Sequence, residues 1–212
     1  MSVIRVENLN KSIIGKVILE DLSFTVERGD CLALIGPNGA GKTTLMDCLL
    51  GNRKVTSGII KIEGKAPGHP QLKDSVSYLP QENAIVQKLT VQELISFFRS
   101  IYPNPLTVNA IDDLLRFTPE QKKQLASKLS GGQKRLLSFV LTLIGRPSLL
   151  FLDEPTAAMD TSTRQRFWEI VGHLKDQGVT IVYSSHYIEE VEHTADRILV
   201  LHQGHLLRDT TP

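Results

Sequence analysis

The 212 residues carry 41% apolar and 22% charged side chains and a formal net charge of +1, the balance of an ordinary globular domain without the basic excess of a nucleic-acid or anionic-membrane binder. No run approaches the ~18 apolar residues of a membrane span, and the opening MSVIRVENLN lacks a signal-peptide core. Cys31 and Cys48 have no metal-ligand spacing and read as buried thiols of a reducing compartment, so the expectation is a soluble, intracellular chain whose membrane role would need a partner.

In chain order, residues 3–9 (VIRVENL) and 17–26 (VILEDLSFTV) alternate apolar and polar side chains and predict strands, with Arg28-Gly29-Asp30 as a turn. Residues 31–36 (CLALIG) are a continuous apolar run ending in glycine, the pattern of a parallel strand buried on both faces. A helix is expected over 42–50, closed by Gly51. Short strands are expected at 58–64 and 75–80, the second stopped by Pro80. From about residue 81 to 144 helical periodicity takes over, as in 91–102 and 108–117. That predicts a helical sub-lobe, placed at about 82–145, inserted between strands. Residues 148–153 read as a strand, and 161–175 as a helix with Phe167, Ile170, Val171 and Leu174 on one face. A strand at 179–185, a short helix at 188–193, and two strands around Gln203-Gly204 complete the chain. Strand alternating with helix predicts an α/β domain with a mainly parallel sheet, one domain over residues 1–212.

GPNGAGKTT (Gly36, Pro37, Asn38, Gly39, Ala40, Gly41, Lys42, Thr43 and Thr44) fits G-x-x-x-x-G-K-[ST] after an expected buried strand and before an expected helix. Glycines let the backbone curl until its N–H groups face phosphate oxygens, and the helix adds the positive end of its dipole. Lys42 supplies a charge for the outer phosphates and Thr43 a hydroxyl for magnesium.

LLFLDEP, residues 149–155, is an apolar run that stops in two carboxylates. If its strand lies beside the phosphate-loop strand, Asp153 reaches the carboxyl edge of the sheet, where open α/β sheets bind ligands. Asp153 would then hold magnesium through water, and Glu154 would orient or deprotonate a water near the terminal phosphate. A strand that merely ends in polar residues is the alternative.

LSGGQKRLL, residues 129–137, starts a helix on two glycines, each costing ~1 kcal/mol against alanine in a helix interior. The pair makes sense if the helix start is itself a phosphate site, its first N–H groups open to an anion. With one phosphate loop already present, this second site would serve a nucleotide held by another copy of the protein. Ser130 as a plain N-cap is the alternative.

GPNGAGKTT, YLPQ, LSGGQ, LLFLDEP, AAMD and SSH, in this order and nearly end to end, resemble the motifs of the ATP-binding cassette (ABC) ATPases. The resemblance implies a P-loop NTPase core with antiparallel N-terminal strands and a helical sub-lobe. It implies two cassettes, in a homodimer, that pair head to tail around two ATP molecules. Each ATP would lie between the phosphate loop of one copy and Ser130, Gly131, Gly132 and Gln133 of the other. Gln81 corresponds to the glutamine that contacts magnesium and the attacking water, His186 to the histidine at the terminal phosphate, and Asp160 closes the stretch that crosses the dimer interface. ATP and Mg2+ are the implied cofactors, with Glu154, Gln81 and His186 catalytic and Thr43, Gln81 and Asp153 at the metal. One departure stands out. The aromatic residue that stacks on adenine in the family should fall near Ile13 or Ile14, and isoleucine offers no π face.

Among family branches, the span from Lys42 to Ser130 is too short for the coiled coils of chromosome-maintenance relatives, and the single cassette departs from the paired cassettes of translation factors. HYIEEVE (186–192) and LTVQELISFF (89–98) resemble the type-2 exporter class, whose cassettes commonly run on beyond a length like this one. The implied protein is the motor subunit of an exporter, held at the cytoplasmic side of the membrane by a separate polytopic permease, with no nucleic acid expected. A soluble ABC ATPase acting on ribosomes or nucleic acid is the alternative. The apolar Ile85, Val86, Leu89, Leu94, Ile95, Phe97, Phe98 and Ile101 cannot share one helix face. They form either the core of the sub-lobe or a groove for a permease helix.

Overall fold

Alternation in the first strands produces a two-sided sheet. β1 (Ser2–Ile13) and β2 (Lys16–Glu27) pair antiparallel, and β4 (Ser57–Ile62) joins the other edge of β1. In the computed structural model, which describes residues 2–82, 88–157 and 159–212, β1 runs past the expected end at Leu9 as far as Ile13. Register shifts around Asn8, which sits at φ 46, interrupt the alternation, so the pattern fades before the pairing does.

The continuous apolar runs behave as expected of strands without a wet face. β3 (Cys31–Ile35) is followed by α1 (Lys42–Leu50). β5 (Val76–Leu79) leads into four helices: α2 (Val91–Ile101), α3 (Val108–Leu115), α4 (Pro119–Lys123) and α5 (Gly131–Leu143). The chain then alternates through β6 (Leu149–Leu152), α6 (Thr161–Asp176), β7 (Thr180–Ser185), α7 (Ile188–Thr194), β8 (Arg197–His202) and β9 (His205–Thr210). The main sheet has the order β5-β6-β7-β3-β8-β9, parallel except for the last hairpin. Its strands split their side chains by parity between two cores. Cys31, Ala33, Leu150, Leu152, Ile181 and Tyr183 face the helices that follow β5, whereas Leu32, Leu34, Leu149, Phe151 and Val182 face α1 and the small sheet.

The helices between β5 and β6 start by one chemical device. Thr90, Thr107, Thr118 and Ser130 cap α2 to α5, each accepting a hydrogen bond from a backbone N–H three residues on. In α2, α4 and α5 the third residue (Glu93, Gln121, Gln133) returns a bond to the cap, a box that satisfies two otherwise orphaned donors. Each cap is worth ~1 kcal/mol, which helps helices as short as α3 and α4 to hold.

Candidate functional site

α1 begins differently. Its cap is Gly41, at φ 106, with no side-chain hydrogen bond to the first turn. That φ strains any residue with a Cβ, and a Cβ there would also come within 2.6 Å of Leu19 Cδ2, which would have to shift. The helix start is thus left without a side-chain acceptor, as an anion site requires. Lys42 is buried, and its Nζ donates to the loop's own Gly36 O at 2.7 Å and Pro37 O at 3.1 Å. The lysine is folded back over the curl that phosphate would occupy.

The sheet order corrects one expectation. β6 is not the neighbour of β3; β7 lies between them. Asp153 nevertheless reaches Thr43, whose Oγ1 donates to Asp153 Oδ2 at 3.0 Å. The intervening strand ends in small residues that leave the path open. Ser184, buried at the end of β7, donates to Asp153 Oδ1 at 2.6 Å and accepts from the Glu154 N–H at 2.8 Å. Ser184 enters the sequence reading only within the SSH motif, with no role of its own.

Glu154 turns sharply out of β6 at φ 44. Its carboxylate accepts from Gln81 Nε2 at 3.2 Å and lies 3.5 Å from His186 Nδ1. Side chains from the ends of β5, β6 and β7 therefore meet at one place. Asn38, Gly39, Gly41, Lys42, Thr43, Thr44, Gln81, Glu154 and His186 line a concavity of about 350 Å³ there. The hydroxyl of Thr43, the Asp153 carboxylate and the Gln81 amide are hard oxygen donors that fit Mg2+, an ion bound through few protein groups and substrate phosphates. Among the described residues no group of three His, Cys, Asp or Glu side chains is placed to hold a metal by itself.

Ser130, Gly131, Gly132 and Gln133 do not line this concavity. The start of α5 is not the bare turn the glycine pair implied. Ser130 Oγ accepts from Gln133 N at 3.2 Å, and Gln133 Oε1 accepts from Ser130 N at 3.0 Å. Gly132 has a packing reason as well. It is buried against the start of α6, where a Cβ would sit 3.1 Å from Asp160 Oδ2. Asp160 caps α6, its carboxylate accepting from Ser162 Oγ at 2.6 Å, Thr163 N at 2.9 Å and Thr163 Oγ1 at 2.8 Å. These bonds hold its carboxyl well below the usual range.

Ile14 stands fully exposed at the tip of the β1–β2 hairpin, at φ 49, and Ile13 is half-buried beside it. Of the apolar residues placed in the sub-lobe, Leu94 and Ile95 are buried while Phe97 and Ile101 are exposed. Ile85 and Val86 lie outside the described residues. A groove of about 340 Å³ opens beside Tyr78, Leu89, Leu94, Phe97, Phe98 and Leu141, so core and groove are both built from this set. Cys31 and Cys48 are buried free thiols, the first pushed up to about 12 by burial. Among the described residues no helix is long and apolar enough to cross a membrane.

Residues 19–157 match the family model described as ABC transporter. The chain is 35% identical, over 99% of its length, to ABC transporter G family member 23 of Dictyostelium discoideum, of which it spans 31%. It is 37% identical, over 96% of its length, to Nod factor export ATP-binding protein I of Rhizobium sp. (strain N33), of which it spans 69%. A solved structure described as the ATP binding subunit of an ABC transporter superposes with a TM-score of 0.87 at 27% identity, covering 99% of this chain and 90% of that one.

Proposed function

This chain belongs to the ABC transporter family as an ATP-binding, ATP-hydrolysing cassette, and we propose that it is the motor subunit of an exporter that works as a head-to-tail dimer on a separate membrane permease. The observation that carries the reading is the position of Glu154, held between Gln81 and His186 over the loop that presents Lys42 and Thr43. Lys42, released from Gly36 O and Pro37 O, would bind the outer phosphates of ATP, and the N–H groups of the loop would hold the rest. Thr43 and Asp153 would hold Mg2+, which when bound neutralises phosphate charge. Gln81 orients a water, and Glu154 takes its proton as the water oxygen bonds to the terminal phosphorus. The bond from that phosphorus to the bridging oxygen breaks, leaving ADP and phosphate. His186 steadies the carboxylate and contacts the departing phosphate.

The exclusion of Ser130, Gly131, Gly132 and Gln133 from the concavity supports their assignment to the nucleotide of a second copy. The relative named for Nod factor export supports the direction of transport. The groove beside Phe97 and Phe98 is the place for a permease helix at the cytoplasmic face, in the helix-in-groove mode. The test is to tag the chain in its native cells, solubilise membranes in mild detergent and identify what co-purifies. A polytopic membrane protein in near-equal amount supports the motor; ribosomes, nucleic acid or nothing would transfer the reading to a soluble ATPase.

A further inference from the structure

One buried cation stands outside every role given above. Arg135, one turn into α5, is 1% exposed. Its Nε donates to Pro155 O at 2.9 Å, and its Nη2 to Asp153 O at 2.8 Å and Glu154 O at 3.2 Å. Its Nη1 donates to Pro80 O. Four carbonyls thus converge on one guanidinium, three from the loop that carries Glu154 and one from the residue before Gln81. A planar fork of five donors can span them; a compact ammonium cannot.

A buried charge is expensive, and an apolar side chain would serve helix packing as well or better. Burial pulls the Arg135 guanidinium down to about 10, against the favourable fields of Asp153, Tyr78 and Glu154. The return lies in the backbone. Glu154 sits at φ 44, a left-handed conformation that strains a non-glycine residue and persists only where its surroundings over-determine it. Among the described residues, the bonds on its backbone come from Ser184 Oγ to its N–H, and from Arg135 Nη2 and the Ala157 N–H to its carbonyl.

We propose that Arg135 is a positioning residue for ATP hydrolysis, clamping the backbone of residues 153–155 and of Pro80 so that the Glu154 carboxylate and Gln81 amide stay aimed into the phosphate concavity. It also makes the first turn of α5 part of that clamp, so a displacement of the Ser130–Gly132 turn reaches Glu154 through a single side chain. The inference rests on the reading of Glu154 as the group that activates water.

The test compares the parent chain, Arg135→Lys, Arg135→Gln and Glu154→Gln in steady-state ATPase assays, with turnover normalised to the folded fraction from melting curves. ATP affinity is measured separately by calorimetry. Arg135→Lys should lower kcat about ten- to hundredfold, the cost of a misplaced catalytic group, with KM and ATP affinity within about twofold, because Lys42 is held by the carbonyls of Gly36 and Pro37 and not by the clamped segment. Arg135→Gln is read in the same way and decides the matter if the lysine variant does not fold. A kcat within about twofold of the parent, or a loss shared equally by kcat and ATP affinity, overturns the positioning role. Parent-like turnover by Glu154→Gln overturns the hydrolytic reading and the positioning role with it; an inactive Glu154→Gln beside a parent-like arginine variant overturns the positioning role alone.

Discussion

Gln81 donates its side-chain N–H to Glu154 Oε2 at 3.2 Å, joining the ends of β5 and β6 across 73 positions of sequence. A carboxylate so held can take a proton, whereas an amide cannot. Glu154→Gln should bind ATP with parent affinity, lose at least about 100-fold in turnover and accumulate as a closed dimer. ATPase assays and gel filtration with ATP check both halves; steady-state turnover at the parent rate would remove Glu154 from the mechanism.

Ile14 is fully exposed at the hairpin tip where the family resemblance places an adenine-stacking aromatic. Without a π face the parent should bind ATP weakly and favour it little over GTP. A Tyr in place of Ile13 or Ile14 should raise ATP affinity about three- to tenfold, the equivalent of one aromatic pair. Unchanged affinity in both variants, measured by calorimetry, would mean the base lies elsewhere.

Phe97 stands 56% exposed on the groove beside Phe98. A charge there should not reach the phosphate concavity but should repel an apolar helix. Phe97→Asp is expected to keep ATPase activity within about twofold, since the change lies outside the site, while abolishing co-purification of the permease and transport. Intact transport would refute docking at this groove.

Asp160 caps α6 with three hydrogen bonds, and its carboxyl is held below the ordinary 3.8 of a free aspartate. A depressed carboxyl contributes stability that is fully present above the unfolded value and lost as pH falls through that value towards the folded one. The melting temperature of Asp160→Asn should therefore lie below the parent's by a constant gap at neutral pH, and the gap should close below pH 3.8. A gap independent of pH would exclude the charged cap as its source.

Phe139 and Phe167 join α5 to α6 with ring centroids 4.3 Å apart, both fully buried, and Phe167 continues the contact to Trp168. Phe139→Ala should cost about 3–5 kcal/mol in urea denaturation, cavity included. A loss below about 1 kcal/mol would mean that the two helices can close the gap by sliding.

Much of this architecture was legible in local pattern. The runs CLALIG and LLFLDEP, the loop GPNGAGKTT and the alternation of β2 each follow from neighbours in sequence, and the helices α1, α6 and α7 lie within a residue or two of expectation. The capping residues Thr90, Thr107 and Thr118 of α2 to α4 were equally local and went unread, although Thr90-x-x-Glu93 and Thr118-x-x-Gln121 are written plainly. Arg135 could not be read at all. A basic residue beside Lys134 on a helix looks like a solvated face, and the backbone carbonyls of Pro80, Asp153, Glu154 and Pro155 that it meets leave no mark in the side-chain sequence.

The sequence by itself determined which segments become strand, helix and phosphate loop, because periodicity, glycine and caps act over a few residues. It also named the residues proposed to meet nucleotide, through the order of the motifs. Tertiary structure alone decided that β7 separates β6 from β3 while Ser184 still lets Asp153 reach Thr43, that Gln81 and His186 flank Glu154, and that Gly132 packs against Asp160. Those relations depend on strand order and on the reach of side chains across a sheet edge, which only the assembled fold fixes.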